Sequence, residues 1–287
     1  MEQGISDWVN RSPVDQVDFR KAVHIILMAI SLDSDLSKSM VMKGGILLGI
    51  RYGSSRYTTD IDFSTSEKMI ELDENELRDK INMRLFEAEA ELLYGIKCSV
   101  QKLKKIPKRA DATFPSLDIT IGYARKNDGS MMGRLERGQS SQVVQIDYSF
   151  NEFTGTTQEI EIDGDECIQA YDLVSLLAEK FRSILQQVVR NRSRRQDVYD
   201  IYYLINRFAE GSGEEKAMVL EMLLEKSIGK GVDEFLNVNG MDDKRVISRS
   251  SENFNDMEDE IEGELPSFED AYEVVRNYYK TMPWETV

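Results

Sequence analysis

Apolar residues near the start of the chain recur every three to four positions. Val17, Val23, Ile26, Leu27 and Ile30 form one stripe, which predicts an amphipathic helix over 14–31. A short apolar run then meets Lys43, Gly44 and Gly45, after which Ile46, Leu47, Leu48 and Ile50 return at helical spacing, the pattern of strand, tight turn and helix. At 60–63 the period changes to two, so Asp60 and Asp62 leave one face of a strand while Ile61 and Phe63 take the other. Residues 73–94 read as a long charged helix with Leu77, Ile81, Leu85 and Leu92 inward, closed by Gly95. Three alternating stretches follow, at 96–103, 117–123 and 142–150, with a polar, glycine-containing interval at 126–140 that reads as a mobile hairpin or loop. From 171 to 209 the period is helical again, in two segments joined by an arginine-rich connection. Beyond that, 217–225 and 268–279 read as helices and the acidic interval 242–264 as a loop.

The pattern predicts an α+β fold: a catalytic domain over 1–170 with a small mixed sheet, then a helical domain over 171–287 that ends in an acidic region. Composition adds exclusions. At 41% hydrophobic and 31% charged residues the chain is an ordinary globular one. Its longest early apolar stretch, 22–30 around His24, is too short to span a bilayer and lacks a cleavage pattern, so no membrane association and a cytoplasmic location are expected. Cys98 and Cys167 have no metal-ligand spacing and read as packed thiols in a reducing compartment. His24 is the only histidine, which argues against a Ser/His triad or a zinc site and leaves metal chemistry to carboxylates.

The net charge of −16 speaks at first against a nucleic-acid partner. Most of it lies after Arg207, where 20 acidic residues face 8 basic ones. Before that point stand two basic clusters, Lys102, Lys104, Lys105, Lys108 and Arg109, then Arg182, Arg190, Arg192, Arg194 and Arg195. Either could face solvent or hold a polyphosphate or an RNA backbone.

Candidate chemistry gathers at both ends of the stretch 42–64. Paired glycines let a backbone turn approach a ligand without a Cβ in the way, and amides at a helix start attract anions, so Gly44 and Gly45 fit a phosphate. Asp60 and Asp62 side by side repel one another unless a cation holds them, and oxygen ligands suit Mg²⁺. Asp147, between Ile146 and Tyr148, would add a third carboxylate if its strand lies beside that of Asp60, with Asp118 as a rival for that position. Asp197 and Asp200 share a helix face and, with Glu179, Lys180 and Arg182, read by themselves as surface ion pairs.

Taken together, KGGILLGIRYGSSRYTTDIDF, VVQIDYSFNE and LVSLLAEKFRSILQQVVRNRSRRQDVYDIYYLI resemble the AbiEii/AbiGii-type nucleotidyltransferases, toxins of abortive-infection and type IV toxin–antitoxin systems. The resemblance covers 42–205 and implies a minimal DNA polymerase β-like nucleotidyltransferase core followed by a helical domain that completes the nucleotide and RNA site. By position, Gly44 and Gly45 match the phosphate-binding turn, with Lys43 and Arg56 in the same motif. Asp60 and Asp62 match the metal-binding pair and Asp147 the third carboxylate. Lys180 matches a lysine that reaches the nucleotide phosphates, and Asp197 the acid before a Tyr-Asp pair. The chain departs from the superfamily in having a second glycine for the common serine, a slightly longer interval before Asp60, and Gln196 between Arg195 and Asp197.

The resemblance implies an NTP donor, Mg²⁺ or Mn²⁺ as cofactor, an RNA acceptor such as the 3′ end of tRNA, arrested translation and growth, and a cognate antitoxin. Arg190, Arg192, Arg194 and Arg195 are the expected RNA contacts. A small-molecule or protein hydroxyl as acceptor, or a nucleotide sensor without turnover, would use the same carboxylates.

Overall fold

The computed structural model describes residues 4–69, 73–109 and 112–286. Contacts divide the chain into two units, Met1–Gly53 with Thr58–Ala170, and Ser54–Tyr57 with Tyr171–Val287.

The first unit runs α1 (Ile5–Asn10), α2 (Val17–Ser31), α3 (Ser34–Ser39), β1 (Val41–Lys43), α4 (Gly44–Tyr52), β2 (Asp60–Ser64), α5 (Glu74–Leu92), β3 (Ile96–Ile106), β4 (Ser116–Arg125), α6 (Gly129–Glu136), β5 (Val143–Ser149), β6 (Thr157–Asp163) and β7 (Glu166–Tyr171). Its seven strands form one mixed sheet in the order β3-β4-β5-β2-β1-β7-β6. β2 pairs parallel to β5 and antiparallel to β1, while β4 is antiparallel to both of its neighbours, β3 and β5. Ile61, Phe63, Ile119 and Ile146 point to one face and are buried. Ile26 and Ile30 of α2 and Ile81 and Leu85 of α5 meet Ile119, Ile121 and Ile146 there, so these helices cover the apolar face. Alternation then forces Asp62, Asp118 and Asp147 onto the other.

Several helices begin where an aspartate side chain satisfies their free amides. Asp73 accepts from the Asn75 and Glu76 amides at the start of α5. Asp128 does the same for Ser130 and Met131, which makes 129–136 a helix rather than the loop the polar composition predicts. Leu135 anchors it, buried against Gly122 of β4, where a Cβ would collide.

The second unit is helical: α7 (Leu173–Val189), α8 (Arg195–Arg207), α9 (Gly213–Ser227), α10 (Lys244–Ser251) and α11 (Phe268–Lys280). The interval 242–264, expected as a loop, holds α10, capped by Asp243, and a 3-10 segment at Phe254–Glu260. Val246, Phe254 and Met257 are buried there, few but enough to fold an acidic stretch. Among the described residues no helix is long and apolar enough to cross a membrane.

Candidate active site

β1 ends at Lys43, and the chain turns at Gly44 with φ 79° before α4 begins. Only glycine adopts that angle without strain, and it has a second reason to be there. A Cβ built on Gly44 would collide with Asp62 Oδ2. The amides that open α4 and the Asp62 carboxylate therefore border one small space, where anion-seeking N–H groups stand beside a carboxylate.

Strand register extends the site sideways. Lys43 stands opposite Asp62, Asp62 opposite Asp147, Asp147 opposite Asp118, and Asp118 opposite Lys104. Cross-strand partners share a face, so a charged row Lys-Asp-Asp-Asp-Lys crosses five strands. Asp60, two residues before Asp62, lies on the same face opposite Gln145, and Thr120 Oγ1 donates to Gln145 Oε1 at 2.9 Å. Asp118 is thus the neighbour of Asp147, where the sequence presents the two as rivals.

Asp60 and Asp147 are exposed, Asp62 and Asp118 half-buried. Asp60 Oδ1 accepts from Thr59 Oγ1 at 3.0 Å. Although the residue is exposed, partial desolvation of its carboxyl against the sheet holds Asp147 above the ordinary aspartate range; the Lys43 ammonium and the Ser149 hydroxyl pull it down, and Glu152 and Asp118 add smaller pushes upward. Glu152 carries no pattern signal in the sequence, since it follows β5 in irregular chain. In the fold its Oε2 accepts from Lys43 Nζ at 2.9 Å and from Ser64 Oγ at 3.0 Å, tying β1 and β2 at the site.

Among the described residues no three His, Cys, Asp or Glu side chains are gathered closely enough to cage a metal by themselves. The donor set nevertheless suits a hard divalent cation: acceptor-only oxygens in register, with phosphate oxygens able to complete the shell. His24 takes no part. Its Nδ1 meets Tyr94 Oη at 2.8 Å and its Nε2 the Ile162 carbonyl at 3.1 Å, and burial lowers its pKa.

The second unit holds the remaining sequence candidates. Lys180 of α7 is buried and donates to Asp197 Oδ1 at 3.0 Å and Asp200 Oδ2 at 2.6 Å. Arg56, in the Ser54–Tyr57 segment of this unit, grips Asp200 with both arms, Nε to Oδ1 at 2.8 Å and Nη2 to Oδ2 at 2.9 Å. What the sequence presents as surface ion pairs is an interior network, because Asp197 and Asp200 are buried on α8 together with its apolar Val198, Ile201 and Leu204. Burial opposes every charge in it, yet Arg56 and Lys180 hold Asp200 below the usual carboxylate range, while Asp200 and Asp197 hold Lys180 above its own. Asp197 Oδ2 has no hydrogen-bond partner, with Arg194 Nε 4.0 Å away.

Of the arginine cluster, Arg195 pairs with Glu260 at 3.0 Å and with Asp256 at 3.7 Å, so part of the acidic region is its internal partner. Arg190 and Arg192 are exposed. Partial burial and the crowding of Arg194, Arg190 and Arg182 lower Arg192 to about 10.

Among solved structures, the chain is similar to JHP933 from Helicobacter pylori, with 13% identity over 93% of this chain and 91% of that one and a TM-score of 0.46. It is also similar to MenT4, nucleotidyltransferase toxin Rv2826c from Mycobacterium tuberculosis H37Rv, with 14% identity over 96% of each chain and a TM-score of 0.46. No curated protein sequence matches it. The model of the nucleotidyl transferase AbiEii toxin family of type IV toxin–antitoxin systems matches residues 25–274, and with a charged, glycine-backed site lying inside that span, the chain belongs to this family of nucleotidyltransferases.

Proposed function

We propose that this nucleotidyltransferase moves a nucleoside monophosphate from an NTP to an RNA hydroxyl, the 3′ end of tRNA, in the cytoplasm, and so halts translation until a cognate antitoxin restrains it. The observation that carries the reading is the register of Asp62 against Asp147, with Asp60 on the same face and Gly44 directly beneath Asp62.

Gly44 and Gly45 offer backbone amides and no side-chain bulk, so triphosphate oxygens can approach the start of α4. Asp60, Asp62 and Asp147 would hold Mg²⁺ or Mn²⁺, which when bound neutralises charge on the transferring phosphate and the leaving pyrophosphate. The acceptor oxygen forms a bond to the α-phosphorus as the bond to the β-phosphate bridging oxygen breaks, and the pyrophosphate leaves with that electron pair. Asp147, in register with Asp62, accepts the proton of the attacking hydroxyl. Lys43, fixed by Glu152, faces the same row and balances its charge. Phosphoryl transfer needs positioning and charge neutralisation more than covalent chemistry, and these residues supply both. In the second unit, Lys180, Asp197 and Arg56 support nucleotide binding, and Arg190, Arg192, Arg194 and Arg195 supply basic surface for RNA.

The test incubates the purified protein with Mg²⁺, total tRNA and each α-labelled NTP in turn, with Asp62→Ala as control. Label on tRNA from the wild type alone is the expected result and names the donor. Label on the protein or on small molecules, or none with nucleotide still bound, overturns the RNA reading.

A further inference from the structure

The two edges of the sheet carry opposite charge. β6 exposes Glu159, Glu161 and Asp163. β3, at the other end, carries Lys97, Lys102, Lys104 and Lys105, and no acidic residue occurs from Ile96 through Arg109. Charge, lysine above all, keeps an exposed strand edge from pairing with other chains, so edge protection accounts for a lysine-rich β3 but not for where Lys102 and Lys104 stand relative to the aspartates.

Register offers the explanation. Lys104 is the last member of the row that begins at Lys43 and passes through Asp62, Asp147 and Asp118. Lys102 ends the neighbouring row, opposite Thr120, which is opposite Gln145, which is opposite Asp60. Both lysines therefore lie on the carboxylate face, roughly 10 Å from Asp147 for Lys104 at two strand spacings. They stand about 7 Å apart along β3, the order of the spacing between neighbouring phosphates of an extended polynucleotide. Among the described residues neither makes a hydrogen bond or ion pair, and Lys104 leaves Asp118 unpaired although the two face each other across the ladder. Lys108, for which the described residues likewise hold no partner, continues the charge past the strand end.

We infer that Lys102 and Lys104 on the β3 edge bind the phosphate backbone of the acceptor RNA and lay it across the sheet toward Asp147. The inference rests on the RNA-transfer reading above. A row of carboxylates repels a polyanion, and a cationic landing strip beside it lets the RNA approach with its terminal hydroxyl foremost while its phosphates stay clear of the aspartates.

The experiment compares wild type, Lys102→Glu/Lys104→Glu, and a control with the same charge change at two exposed, unpartnered sites, Lys38→Glu/Lys244→Glu. Binding of total tRNA is measured across a salt series, together with label transfer and the apparent KM for NTP. In the β3 variant tRNA binding should weaken tenfold or more, and the slope of log affinity against log salt should flatten by about 1.4, near 0.7 per lost phosphate contact on a single strand. The apparent KM for NTP should stay within twofold of wild type, which also reports that the variant is folded. Affinity and slope like the control in a wild type that does label tRNA would overturn the inference and leave the function standing. A wild type that neither binds nor labels tRNA would overturn both. Lost binding of polyglutamate with tRNA binding intact would overturn it in favour of an acidic protein partner.

Discussion

The aspartates of β2 and β5 and those of α8 are the same chemical group in opposite electrostatic settings. Asp200 is fully enclosed and meets two cations at hydrogen-bond distance, so its charge is spent inside the protein. Asp62 and Asp147 face each other as like charges beside Asp118, with Glu152 adding to the repulsion at Asp147 and Lys43 shared between them. A buried and fully paired carboxylate serves stability, since losing either partner strands the other. Carboxylates crowded in register repel one another, and such crowding persists where a ligand brings further positive charge.

Substitutions should separate the two settings. The largest effect expected is on turnover: Asp62→Ala should lower nucleotide transfer by at least about 10³-fold, while the melting temperature changes little, since Asp62 stands half-buried on the sheet face and not in the core. Full activity in the purified variant would remove Asp62 from the chemistry. In the second unit Lys180→Met should act first on stability, lowering unfolding free energy by about 3–5 kcal/mol in denaturant titrations because Asp197 and Asp200 lose a cation. A loss below about 1 kcal/mol would mean that water or Arg56 compensates.

Gly44→Ala should damage both, through a side chain at φ 79° and a clash with Asp62. About 1–3 kcal/mol of stability should go with the strain, and the apparent KM for NTP should rise; normal kinetics would separate the turn from nucleotide binding. Acid provides a gentler test. Asp200 has a depressed pKa, so its contribution to stability is complete above the unfolded value near 4 and drains away as pH falls further. Thermal melts of wild type should therefore lose stability below about pH 4 more steeply than melts of Asp200→Asn. The smallest change expected is Asp118→Asn, which should cost less than about tenfold in transfer, against a loss for Asp147→Asn that approaches that of Asp62→Ala. The reverse order would move the third carboxylate to β4.

Local pattern made some of this legible. Asp60, Ile61, Asp62 and Phe63 declare their faces by alternation, and Ile61 and Phe63 are fully buried while the aspartates are not. The break at Lys43-Gly44-Gly45 marks a strand-to-helix turn because few residues other than glycine turn there. α6 and α10 were obscured by polar composition, since each is anchored by one or two buried apolar residues and a capping aspartate. Glu152 left no trace, because a glutamate in irregular chain has no period to betray it.

The sequence by itself determined which residues could share a strand or helix face, because those periods are set by backbone geometry within a few residues. Only the tertiary structure decided which faces met. Pairing β2 with β5 and β5 with β4 joins positions as much as 85 residues apart, Asp62 and Asp147, into a charged row ending at Lys104. Burying Asp197 and Asp200 along with the apolar residues of α8 likewise made interior cations of Lys180 and Arg56. Register and packing are settled by the whole core at once, and no local stretch of sequence contains that information.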